Sequence, residues 1–263
     1  MARKHQMGGI TIAVTLGLAV TVASIALVLA NIQIKDGFQD RTVKDVAIIF
    51  SGRIKGFQNV LPKLKKIKDK YNPVIFCSLN EVEMTQDIKL FCKELSIPED
   101  QVNIEQTVIP DWASKCNTMN PTLNVYSMYY HENKAFGMIE RYVKKNQKMF
   151  DCVLYYRADM NSTDELNLLM PEKNTIYLPN DRGYGGYNDR MAYGDYESMK
   201  IYCNLITVFA DLCNDGSGRS INAEKILQKY LESKRDIKIA SIPYNTNLHE
   251  QRNDKIKFGI LDP

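Results

Sequence analysis

Histidine and tryptophan are scarce in this chain of 263 residues, three and one respectively. No two of its six cysteines form a Cys-x-x-Cys pair. A zinc finger or ribbon is therefore excluded as the organising element. Neither a Walker phosphate loop nor a Gly-x-Gly-x-x-Gly dinucleotide fingerprint occurs, which removes the two commonest sequence routes to a nucleotide phosphate. There is no internal repeat and no low-complexity tract. Charge of one sign is also lacking: the net value of +3 is too small to argue for a nucleic-acid partner.

What is present is an ordinary globular composition, 44% apolar and 25% charged, preceded by one uncharged stretch. Residues 10–32 carry no charge, which is long enough for a helix that spans a bilayer. Arg3, Lys4 and His5 precede it, while Lys35 and Asp36 after it nearly cancel. The positive-inside rule then places residues 1–9 in the cytosol and the remainder across the membrane. The expectation is an uncleaved signal anchor of type II topology, with a short stem at 33–43 and a lumenal domain at 44–263. A cleaved signal peptide is the alternative. The remaining ~220 residues suffice for one large domain with a full core. In a lumen one or more disulfides are expected, with connectivity open. Cys77, Cys152 and Cys203 fall on apolar patterns and read as free core thiols.

Asp45 to Phe50 is a continuous apolar run typical of a buried parallel strand, and it ends in Ser51-Gly52-Arg53. Phe57, Val60, Leu61, Leu64, Ile67 and Tyr71 recur at helical spacing and predict a helix over about 56–71. Its lysine-rich outer face reads as solvated, or as a contact for anionic lipid headgroups. A strand at 74–77, a helix at 84–95 and a strand at 102–108 follow. Residues 109–122 are irregular and hold Trp112, which either pins the loop or stacks on a ring ligand. Long helices are expected at 123–148, 195–213 and 221–233, and a last strand at 237–242. This alternation predicts an α/β domain with a mostly parallel sheet.

Residues 153–194 concentrate the chemistry. Apolar runs at 152–156 and 175–178 each end in a polar cluster. The first delivers Arg157 and Asp159. The second delivers Asn180, Asp181, glycines 183, 185 and 186, then Asn188, Asp189 and Arg190. Ligands of open α/β sheets bind beyond the carboxyl ends of strands. Acids, arginines and glycines gathered there suit a charged, hydroxyl-rich ligand. The plainer alternatives are a Gly-rich surface loop, a strand-end salt bridge between Arg157 and Asp159, and a turn or helix-cap role for Asp189. Asn161-Ser162-Thr163 is a glycosylation sequon, placed so near Asp159 that a glycan would obstruct the site.

The chain from Ser51-Gly52-Arg53 through Phe150-Asp151-Cys152-Val153-Leu154-Tyr155-Tyr156-Arg157-Ala158-Asp159 to Asn188-Asp189-Arg190-Met191-Ala192-Tyr193-Gly194 resembles a family of glycosyltransferase-like proteins. These are the WavE-type proteins of bacterial lipopolysaccharide loci, with counterparts in plants and large DNA viruses. The resemblance implies a GT-A-like, Rossmann-like fold, a nucleotide-sugar donor, and an acceptor bearing carbohydrate, lipid or protein. It implies donor contacts from Ser51, Gly52, Arg53, Arg157, Asp159, Gly185, Gly186 and Asn188. A base role falls to Asp189, with Asp181 in reserve. Such enzymes hold Mn²⁺ or Mg²⁺ through an Asp-x-Asp motif. Here that motif reads Arg-Ala-Asp. The metal would need Asp159 together with His249. Otherwise Arg157 and Arg53 neutralise the diphosphate directly. A non-catalytic glycan-binding or scaffold protein on the same fold is the main competing reading, and a tethered nucleotidyltransferase or hydrolase a third.

Overall fold

β1 (Val46–Gly52) runs through the middle of a seven-stranded sheet, buried from Val46 through Ser51. The structure is a computed structural model that describes residues 43–247 except 53, 55, 161 and 215–217. The expected tail, the span 10–32 and all of the stem but its last residue lie outside the described residues. Among the described residues, no helix is long and apolar enough to cross a membrane.

After β1 come α1 (Phe57–Tyr71), β2 (Val74–Leu79), α2 (Gln86–Leu95), β3 (Val102–Ile104), α3 (Thr122–Asn146) and β4 (Cys152–Tyr156). β5 (Thr175–Pro179), β6 (Met191–Gly194), α4 (Tyr196–Cys203), α5 (Ala223–Glu232) and β7 (Lys238–Ile242) complete the domain. The strand order is β3-β2-β1-β4-β6-β5-β7. β3, β2, β1 and β4 pair in parallel, as do β5 and β7, and β6 alone runs against its neighbours. The expected mostly parallel α/β sheet is therefore present.

Strand periodicity divides the core in two. Val46, Ile48 and Phe50 face α1 and α2, whereas Ala47 and Ile49 face α3, α4 and α5. Phe57, Val60, Leu64 and Ile67 form the buried stripe of α1, as the spacing predicted. Its lysines are largely engaged with neighbouring elements: Lys65 pairs with Glu94, Lys68 reaches Ser96 at 2.8 Å, and Lys70 reaches Glu165 at 2.7 Å.

Three elements differ from expectation. β3 stops at Ile104 because the chain beyond it is held elsewhere. The Thr107 N–H donates to Asn80 Oδ1 at 2.9 Å, and the Thr107 hydroxyl meets His131 Nε2 at 2.9 Å. The expected helix over 195–213 breaks at Asn204, whose Oδ1 accepts from Asn133 Nδ2 at 2.8 Å. Ile206, Thr207 and Val208 follow, a β-branched run that disfavours the helix, and the chain takes a 3₁₀ turn at Leu205–Val208. β6 was not expected at all.

Cys116 and Cys213 form a disulfide across 97 residues, which ties the irregular segment before α3 to the chain after α4. Cys77, Cys92, Cys152 and Cys203 are free and buried. Trp112 packs its ring 5.7 Å from Tyr126 and 6.2 Å from Phe209, which is a loop-pinning position.

Candidate functional site

The sheet reverses its order of growth between β1 and β4. From β1 the chain adds β2 and then β3 on one side, then returns to lay β4 on the other. Such a switch point opens a crevice at the carboxyl ends of the two strands. Ile49 pairs with Tyr155. Two residues further along the chain stand Ser51, still in β1, and Arg157, just past the end of β4. Ser51 is buried, and its hydroxyl has no hydrogen-bond partner. Gly52 has φ +83°, with open space where a side chain would stand. This left-handed backbone favours glycine. Arg53 lies outside the described residues.

Just past β4, the Arg157 guanidinium grips Asp159 with two parallel bonds, Nε to Oδ1 at 3.0 Å and Nη2 to Oδ2 at 2.9 Å. The side chains are 27% and 30% exposed, so the pair forms part of the crevice wall and is open to a ligand. Nη1 is left without a bond among the described residues. The Asp159 carboxylate beside it raises the arginine's already high pKa further, against the effect of burial.

The loop between β5 and β6 is fixed at both ends. Asn188 Nδ2 donates to the Asp181 carbonyl at 2.8 Å, to Asp181 Oδ1 at 3.1 Å and to Thr246 Oγ1 at 2.7 Å. Asp181 also accepts from the Thr246 N–H and hydroxyl, both at 2.8 Å. Asp181 and Asn188 thus clasp the segment after β7 to the loop. Replacing Asp181 by Ala should lower stability by about 2 kcal/mol, because the buried Thr246 and Asn188 donors lose their acceptor. Thermal unfolding with limited proteolysis would check this. An unchanged midpoint and unchanged protection near Thr246 would show that the clasp holds nothing.

Between the clasped ends, Gly183, Gly185 and Gly186 let the loop fold onto α5. The Gly186 N–H donates to the Gly183 carbonyl at 2.7 Å, and the Tyr187 N–H donates to the Glu224 carbonyl at 3.0 Å. Tyr184 is exposed beneath the Arg190 guanidinium, 5.8 Å from the ring centre. Arg182 and Arg190 lower its phenol pKa through hydrogen bonds.

This folding delivers Asp189 to the crevice floor, 5% exposed. Burial raises its pKa against the pull of Arg157 and Arg190. Glu224, in the first turn of α5, is pushed up to about 7 by burial and by Asp189. A third carboxyl, Glu132 on α3, is 0% exposed, and burial raises it well above the usual carboxylate range. Of these three, sequence reasoning found only Asp189. Glu132 did carry a signal: it continues the Val125, Tyr129, Phe136, Ile139 spacing of the buried face. Glu224 likewise continues toward Leu227 and Leu231.

A family model described as a domain of unknown function (DUF7796) matches residues 69–249. The chain belongs to this family. The DUF7796 span contains Glu132, Arg157, Asp159, Asp181, Asn188, Asp189 and Glu224, and leaves β1 with Ser51 and Gly52 before it. No curated protein matches the chain. Two solved structures of the glycosyltransferase GlyE from Streptococcus pneumoniae TIGR4, one of them the apo form, are similar at 12% and 13% identity, with TM-scores of 0.39 and 0.38. Each match covers 76% of this chain and 45% of the GlyE chain, so the chain spans less than half of GlyE. At that level of similarity GlyE says nothing about chemistry here.

Of the residues expected to hold Mn²⁺ or Mg²⁺, only Asp159 lies among the described residues of this DUF7796 domain. Asp159 has both carboxylate oxygens on Arg157, and His249 lies outside the described residues. Among the described residues, no three His, Cys, Asp or Glu side chains are placed to hold a metal ion. His131 is occupied as well. Its two ring nitrogens meet Ser78 Oγ at 2.8 Å and Thr107 Oγ1 at 2.9 Å, and burial pushes its pKa down to about 4. It is a neutral pin between α3, β2 and the chain after β3. Asn161 of the sequon lies outside the described residues, and its neighbour Ser162 is buried.

Proposed function

We propose that this domain transfers a sugar from a nucleotide-sugar donor to a hydroxyl of a carbohydrate-bearing acceptor, as the resemblance to WavE-type proteins implies. The observation that carries this reading is the pairing at the switch point. An arginine fork open to a ligand stands above a buried carboxyl that favours its proton. Arg157 keeps Nη1 available for a phosphate oxygen while Asp159 holds its plane. Planar forks suit phosphate geometry. Gly52 allows close backbone approach to the diphosphate, and Ser51 supplies a hydroxyl. Arg53, Gly185, Gly186 and Asn188 complete the donor contacts in this reading, the last through the shape of its loop.

The acceptor oxygen attacks the anomeric carbon. The carbon–oxygen bond to the diphosphate breaks, and its electron pair leaves with the nucleoside diphosphate. Asp189 takes the acceptor proton, for which its raised pKa suits it. Asp181 is committed to Thr246 and Asn188, which makes it the weaker choice of base. No step is assigned to a metal ion.

The segment 10–32 would anchor the enzyme as a type II membrane protein with this domain lumenal, in a membrane of ER, Golgi or viral origin. The Cys116–Cys213 disulfide accords with an oxidising compartment. A second reading, a glycan-binding protein without turnover, draws on the same Arg157–Asp159 pair, because Arg157 stands where an acidic residue is expected. A thermal-shift screen of the full chain against UDP-, GDP-, CMP- and dTDP-sugars, each with Mn²⁺ and with EDTA, tests both. A donor at 100 times its dissociation constant adds about 2.7 kcal/mol. Stabilisation by one nucleotide class, unaffected by EDTA, is expected. Stabilisation lost in EDTA would restore a metal to the mechanism. No response to any donor, with binding to glycans, would overturn transfer.

A further inference from the structure

Five of the six buried polar side-chain atoms that lack a partner among the described residues belong to four residues on one side of the sheet. They are Ser51 Oγ, both Glu132 oxygens, Tyr155 OH and Tyr202 OH. The four residues come from β1, α3, β4 and α4, and all point into the layer between the sheet and the helices. Ser51 and Tyr155 share a sheet face by register. The Tyr155 and Tyr202 rings lie 5.9 Å apart. Buried polar atoms are almost always satisfied, and where protein groups do not do so, internal water does. A water needs two to four polar partners, and this cluster offers five such atoms.

We propose that these oxygens hold water sealed beneath the β1–β4 crevice, and that Glu132, as an uncharged acid, positions the Ser51 hydroxyl through it. The charges described around Glu132 favour an uncharged acid. Among the described residues Arg157 is the one cation that acts on it, against burial and the like charge of Asp189. The titratable and charged groups that face Glu132 are Tyr155 and Arg157 from β4 and its end, Tyr202 and Cys203 from α4, Asp189 before β6, and Tyr129 on its own helix. Only Arg157 among them favours the ionised form by its charge. Tyr155 stands beside both the carboxyl and Ser51, close enough to act on each but without full hydrogen-bond geometry to either. Burial accordingly raises the Glu132 pKa.

The sign of the effect on stability follows. The folded pKa lies above the ordinary value of 4.5. Stability from this group is complete below that value and is lost as pH rises toward the folded pKa. Glu132→Gln keeps the shape and the hydrogen bonding but cannot ionise. Its unfolding constant relative to wild type should therefore improve by up to about tenfold per pH unit above the ordinary value. A difference that does not change with pH would overturn the uncharged acid. Infrared difference spectra between wild type and Glu132→Gln should show a protonated carboxyl band at the frequency of a hydrogen-bonded acid. A band at the frequency of an unbonded acid would overturn the water. The role for Ser51 rests on the transferase reading. With the donor found in the screen, Glu132→Leu should weaken binding by about tenfold, as for other groups that act through a neighbour, and Glu132→Gln should restore it. Equal affinity in the two variants would overturn positioning while leaving transfer itself intact. Failure of the screen would leave the pH and infrared results standing.

Discussion

Asp189→Asn should lower sugar transfer by 10²- to 10⁴-fold, roughly the share that a positioned general base contributes. Its thermal midpoint at neutral pH should stay at or above that of wild type. The two effects separate because Asp189 is not a stabilising charge. It is 5% exposed, and burial raises its pKa despite Arg157 and Arg190. A raised folded pKa means that stability is complete below the ordinary aspartate value of 3.8 and falls as pH rises. Asparagine removes that loss while leaving Arg157 its bidentate partner, Asp159. The neighbouring Glu224 adds a second signature. Its pKa of about 7 owes part of its rise to Asp189, so the two carboxyls titrate as a pair with shared apparent values. Transfer should fall as pH drops through the raised range in which this pair takes up protons, and Glu224→Gln should move that acid limb to lower pH by removing a like charge. Wild-type turnover in Asp189→Asn would remove Asp189 from the mechanism. An acid limb unmoved in Glu224→Gln would separate the two groups.

Much of this arrangement is legible in the sequence, and the illegible parts share a physical reason. Apolar runs at β1, β2 and β4 announce strands buried on both faces, and the helical stripe of α1 is plain. The polar residues that follow β1 and β4 mark the switch point in the sequence, where Arg157 and Asp159 are readable, and Asp189 is readable in the loop before β6. β6 is not. Met-Ala-Tyr-Gly is too short for alternation to show and ends in glycine. It becomes a strand because β4 and β5 present free edges to it. Glu132 and Glu224 escape notice because glutamate is a good helix former that usually faces water. Their position within an apolar stripe is the only local sign that they turn inward. Asp181 shows a converse limit. Its residue type and its place after a strand suit a base, but Thr246, 65 residues away, takes its carboxylate. Partners so distant in sequence leave no mark in a local pattern.

The largest loss of stability should come from Gly186→Ala, about 3 kcal/mol, at the upper end for an overpacked site. A Cβ at position 186 would lie 2.2 Å from the Glu224 carbonyl oxygen, 2.3 Å from its carbon and 2.5 Å from the Lys225 nitrogen. All three are backbone atoms of the first turn of α5, so no side-chain rotation relieves the overlap. The turn itself is pinned. Asn222 caps it by accepting from the Lys225 N–H at 2.9 Å, and the Glu224 carbonyl accepts from Tyr187 at 3.0 Å. Relief requires the loop to lift from the helix, which breaks the Tyr187 bond and carries Asp189 away from Glu224. Gly185 is the internal control. It has φ +84° but open space around its Cβ position, so Gly185→Ala meets only the strain of a left-handed backbone, about 1 kcal/mol. Chemical denaturation of the two variants should therefore rank Gly186→Ala well below Gly185→Ala. The same ranking should hold for transfer, because only the first change displaces Asp189. Equal stability of the two would mean that the loop reaches α5 by a looser path, and the carboxyl pair on the crevice floor would lose the contact that assembles it.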